Sequence, residues 1–117
     1  MTKFATLTLL ALIVVACAGT PQTPQQAVFL VKTDYQAALV VAVAYKHLPL
    51  CETGAPAICS QPKVVRQLQA ASAAAGAILD GAETAARDGE PTATALLTAA
   101  QQAVAALSTL TQTLRTN

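Results

Sequence analysis

Leu96-Leu97-Thr98-Ala99-Ala100-Gln101-Gln102-Ala103-Val104-Ala105-Ala106-Leu107-Ser108-Thr109-Leu110-Thr111-Gln112-Thr113-Leu114 decides the fold. Leu97, Ala100, Val104, Leu107, Thr111 and Leu114 recur at alternating steps of three and four, with Leu96, Ala103 and Leu110 beside them. That period places them on one stripe of an α-helix. Gln101, Gln102, Ser108 and Gln112 take the outer face. Glu90-Pro91 opens the helix, and Arg115 suits its negative end. The helix is expected over 91–115, and its stripe needs other helices to cover it.

Two earlier stretches supply them. Val65, Leu68, Ser72, Ala75, Leu79, Ala82 and Ala86 form a second stripe, flanked by Val64, Ala71 and Ile78. This helix is expected over 61–88, opened by Ser60-Gln61-Pro62 with Ser60 as its cap and closed by Asp88-Gly89. Gly76 and Gly81 weaken it; either they permit close backbone approach or Gly81 marks a kink. The short Gly89–Glu90 link makes the last two helices an antiparallel hairpin.

The first helix is expected over 24–48. Thr23-Pro24-Gln25-Gln26 has the form of a capping box, with Pro24 at the first helical position. Val28, Val31, Tyr35, Ala38, Ala42 and Tyr45 make its stripe. Leu39, Val40, Val41 and Val43 widen the apolar surface almost all round, so this helix is either central in a bundle or covered by a protein partner or a second copy. Leu39–Val43 also reads as a buried strand, but no partner strand occurs elsewhere. Lys32 and Asp34 argue against a membrane span. Three helices of roughly 40 Å each, at about 1.5 Å per residue, give an all-α, up-down-up three-helix bundle.

Alanine is abundant and aromatic residues make up 3% of the chain. Alanine favours helices, but each one buries little area, so the core is thin. From Cys17 onward the chain has six basic and six acidic residues. No basic patch can neutralise phosphates, and nucleic acid is not an expected partner.

Pro49-Leu50-Cys51-Glu52-Thr53-Gly54-Ala55-Pro56-Ala57-Ile58-Cys59 is a turn-rich connector between the first two helices. The C-x7-C spacing of Cys51 and Cys59 reads as a disulfide closing a small loop, worth about 2.5 kcal/mol by loop entropy. A metal site would need further ligands, and His47 is the only histidine. A redox pair is usually spaced C-x-x-C. No metal or cofactor is expected.

The other end of the chain carries an address. Met1-Thr2-Lys3 is a short start with one positive charge, and Phe4–Ala16 is apolar except for Thr6 and Thr8. Such a run fits a signal-peptide core and falls short of the roughly 20 residues of a membrane span. Val14-Val15-Ala16-Cys17 resembles the lipobox of bacterial lipoproteins. The resemblance implies a signal peptide over 1–16, diacylglyceryl transfer to the Cys17 thiol, cleavage between Ala16 and Cys17, and acylation of the new amino terminus. Residues 17–23 would be a short tether and 24–117 the bundle. Ala16-Cys17-Ala18 is also an A-x-A site, whose cleavage after Ala18 would release a soluble periplasmic protein. Three cysteines, two of them paired, favour the lipidated reading. Ala18 after the cysteine implies, by resemblance, the periplasmic face of the outer membrane. The blocks Ala44–Cys51 and Cys59–Val65 also resemble small lipoproteins of proteobacteria and their prophages, a likeness that carries no known activity.

No Ser-His-Asp set, phosphate loop or Cys-His metal spacing occurs. His47 beside Lys46 reads as a helix-end residue. Asp80 and Glu83 lie three apart, where a carboxylate pair could do acid–base work, but a solvated face is the plainer reading. The Thr and Gln side chains of the last helix face water or a partner. The expected function is a lipid-anchored, non-catalytic structural or protein-interaction module of the envelope. The alternatives are a soluble periplasmic binding or inhibitor protein, and a phage-encoded envelope lipoprotein for superinfection exclusion or lysis.

Overall fold

The computed structural model describes the backbone of residues 23–116 and the side chains of residues 23–114. The expected signal peptide, the lipobox, Cys17 and most of the tether lie outside the described residues, as does the side chain of Arg115. Among the described residues three helices follow one another: α1 (Pro24–Lys46), α2 (Pro62–Asp88) and α3 (Ala93–Thr116).

Local chemistry sets most of the boundaries. The Thr23 hydroxyl accepts from the Gln26 amide while the Gln26 side chain accepts from the Thr23 amide, so the capping box of α1 is complete. Gly89 ends α2 at φ 67°, where a side chain would be strained. Its N–H and that of Glu90 both donate to the Ala85 carbonyl. Leu39–Val43 is helical. Two boundaries differ from the sequence reading by two residues: α1 ends at Lys46 and α3 begins at Ala93. The third correction concerns Ser60. Gln61, not Ser60, is the N-cap of α2, and it makes no side-chain capping bond.

The helices run up, down and up. At one end Gln25 donates to the Ala86 carbonyl at 2.8 Å, joining the start of α1 to the end of α2. At the other the Gln61 amide donates to the Tyr45 hydroxyl at 3.0 Å. Among the described residues the core has two clusters. One gathers Val28, Val31, Leu79, Val104 and six alanines; the other gathers Ala38, Ala42, Leu68 and Leu107. Tyr35 packs against both. Alanine-rich clusters bury little area each, so the side chains that span them matter most.

Tyr35 reaches across because Gly76 lets it. A Cβ at Gly76 would lie 2.9 Å from the Tyr35 hydroxyl oxygen, which donates to the Ser72 carbonyl at 3.0 Å. Gly81 has no atom within 4 Å of such a Cβ, and α2 runs unbroken through it. Close approach therefore explains the first glycine alone.

Candidate functional site

The connector is built as a closed loop. Pro49 follows the helix end, where the His47 amide donates to the Val43 carbonyl at 3.2 Å. Cys51 and Cys59 form a disulfide with their Cα atoms 5.0 Å apart. Leu50 and Ser60 pair as an isolated parallel bridge. The Cys51 amide donates to the Ser60 carbonyl at 3.0 Å, and the Ser60 amide to the Pro49 carbonyl at 2.8 Å. Ser60 is fully buried and its hydroxyl donates to the Leu48 carbonyl at 3.0 Å. That bond explains why Ser60 is not the cap: its hydroxyl donates to the carbonyls of Leu48 and Pro49, just past α1. Within the loop, Ala55 N–H donates to the Glu52 carbonyl over Gly54, whose φ of 86° suits a glycine-bearing turn. Leu50 and Ile58 remain exposed on this frame, by 54% and 72%.

Among the described residues the charged groups meet in one trio, Lys32, Glu83 and Arg87. Glu83 accepts from Lys32 of α1 at 2.8 Å and from Arg87, one turn on, at 3.0 Å. The Lys32 hydrogen bond and charge, followed by the Arg87 charge, hold the Glu83 carboxyl below its usual range. Asp80 is exposed, as a solvated face requires, and neither ion pair of Glu83 includes it. His47 is exposed at the end of α1. Among the described residues no three His, Cys, Asp or Glu side chains gather where they could hold a metal ion.

Apolar exposure is concentrated instead. Among the described residues, the exposed large apolar side chains are Phe29, Leu30, Val40 and Val43 on α1, with Leu50 and Ile58 on the connector. A groove of about 540 Å³ runs between α1 and α3, walled by Leu30, Ala37 and Val41 on one side and Gln101, Ala105 and Ser108 on the other. Asp34 is its only charged lining residue. This arrangement offers contact area and a few neutral hydrogen-bonding groups, with no nucleophile set against a base. By length and composition α1 and Ala93–Leu114 of α3 could each cross a membrane, though both also contribute core side chains to the bundle.

The sequence brings out the disulfide and the three core stripes. It does not bring out the Lys32–Glu83 pair, which joins residues 51 apart, or the exposed Leu50 and Ile58. The signal for the latter was two large aliphatic residues inside a turn-rich loop, where a short loop has no core to bury them. No protein-family model, curated protein or solved structure matches the chain.

Proposed function

We propose that the protein is a lipid-anchored bacterial envelope protein, acting as a small non-catalytic structural or protein-interaction module. The observation that carries this reading is Val14-Val15-Ala16-Cys17 at the end of the apolar run Phe4–Ala16. Small residues suit extended entry into a protease site, and a thiol is the nucleophile that can carry a thioether-linked lipid. The disulfide supports it by elimination: Cys51 and Cys59 occupy each other, which leaves Cys17 as the remaining cysteine. Acylation at two points on that residue would suffice for stable anchoring, since one chain alone binds reversibly. Ala18 after the cysteine favours the outer membrane, on its periplasmic face. The exposed apolar surface of α1 supports an interaction role.

Cell fractionation tests the reading. The protein should sediment with membranes and resist high salt and alkaline extraction, whereas the Cys17→Ser variant should lose acylation and appear as unprocessed precursor. A native protein recovered wholly in the periplasmic fraction, with Gly19 as its first residue, would establish the soluble alternative.

A further inference from the structure

We propose that the outer ridge of α1 lies against the lipid surface, so that the anchored bundle rests lengthwise on the membrane. This rests on the Cys17 anchor proposed above. The ridge is Phe29, Thr33, Gln36, Val40 and Val43, alternating by four and three residues, the spacing of one helical face. All five side chains are exposed, Phe29 by 68% and Val40 by 69%. None is charged. Lys32 is turned toward Glu83 of α2, and Asp34 lines the groove toward α3. Of the exposed charges, Lys63, Arg66, Asp80, Arg87 and Asp88 belong to α2, Asp34 and Lys46 lie on α1 off the ridge, and Glu52 lies on the connector. Among the described residues the exposed large apolar side chains lie on α1 and the connector, and α2 carries five exposed charges and no such side chain.

The length of chain before α1 selects the occupant. Cys17 to Thr23 is seven residues, which span about 25 Å when fully extended. α1 has 23 residues and is about 35 Å long. The tether is therefore shorter than the helix it precedes, and it ends two turns before Phe29. An anchor of that reach keeps the bilayer at high effective concentration beside α1. A helix with an uncharged, partly apolar ridge flanked by charges, here Lys32 beside Phe29 and Lys46 beside Val43, has the pattern of an interfacial helix, with Thr33 and Gln36 at headgroup level.

The chain contains no tryptophan, so an introduced one reports alone. The variants Phe29→Trp, Val40→Trp and, on the exposed face of α2, Ala73→Trp are purified from bacterial membranes as the mature lipidated protein. They are then placed in phosphatidylcholine vesicles with plain or brominated acyl chains. Bromine should reduce emission from positions 29 and 40 by about threefold and leave position 73 nearly unchanged, because an interfacial helix sinks its face about 5–10 Å toward the acyl boundary. Equal quenching at 40 and 73, or none at 40 in protein that carries its acyl mass, overturns the inference and leaves the anchor standing. A position 40 shielded from acrylamide but not quenched by bromine means that a protein partner covers the ridge, which also overturns it. A protein without acyl mass overturns the anchor and this inference together.

Discussion

Gly76→Ala and Gly81→Ala are the same chemical change five residues apart in one helix, and they should have opposite signs. Alanine in a helix interior is better than glycine by about 1 kcal/mol. At Gly81 the new methyl meets nothing within 4 Å, so most of that gain should appear. At Gly76 it would sit 2.9 Å from the Tyr35 hydroxyl oxygen and 3.5 Å from its ring carbon Cζ. Tyr35 cannot swing away freely, because it donates to the Ser72 carbonyl and packs against both core clusters. Losing that hydrogen bond costs about 0.5–1.5 kcal/mol, and forced repacking costs about 1–3 kcal/mol. After the propensity gain is subtracted, Gly76→Ala should destabilise by about 1–2 kcal/mol, so the two variants differ by about 2–3 kcal/mol. Urea unfolding followed at 222 nm reads this directly, and in a domain of this size each kcal/mol moves Tm by about 4–8 °C. In a Tyr35→Phe background the penalty at Gly76 should shrink, because the crowded oxygen is gone. If both alanine variants stabilise equally, Tyr35 does not lie over Gly76 and the α1–α2 register is wrong.

Four further outcomes follow from the same geometry. Reducing Cys51–Cys59, or replacing both with Ser, should lower stability by about 2.5 kcal/mol from loop entropy, with the helical signal retained below the transition; urea midpoints with and without reductant measure it. Ser60→Ala should cost about 1 kcal/mol through the Leu48 carbonyl it leaves unpaired, while Gln61→Ala, at the actual cap, should change little in the same assay. Leu107→Ala, at a fully buried position, should cost about 2–5 kcal/mol and is the substitution most apt to unfold the bundle, readable as a lost thermal transition. Because Lys32 and Arg87 depress the Glu83 carboxyl, its contribution is present above the usual glutamate range and drains away as pH falls through and below that range. Glu83→Gln should therefore flatten the acid limb of the stability profile and, since the trio is partly solvent-screened, shift the neutral-pH value only slightly.

The periodic features were legible because they are local. Ala100, Val104, Leu107 and Thr111 are buried where the heptad places them, and Thr23 and Gln26 cap α1 as their spacing requires. Apart from two helix ends that differ by two residues, what was not legible depends on a partner distant in the chain. Ser60 looks like a cap because serine caps helices, but the disulfide-closed loop brings it to Leu48, and the hydroxyl bonds there. Glu83 reads as part of a solvated face, and nothing local in the sequence announces its ion pair with Lys32 on another helix. Gly76 and Gly81 are indistinguishable until the register of α1 against α2 places Tyr35 over one of them. The apolar breadth of α1 was legible, but which of its faces stays uncovered depends on how α2 and α3 divide the rest. That division leaves the Phe29–Val43 ridge outside and polar sequence logic has no term for it.

The central claim is that Cys17 is the lipidated first residue of the mature protein. Its most direct measurement is the intact mass of the protein extracted from bacterial membranes, with tandem fragmentation of its amino-terminal peptide. The account predicts a chain beginning at Cys17, heavier than its residues by a diacylglyceryl group and an amide-linked acyl chain, both absent from the Cys17→Ser protein. A chain beginning at Gly19, or one beginning at Cys17 with an unmodified thiol, would contradict it.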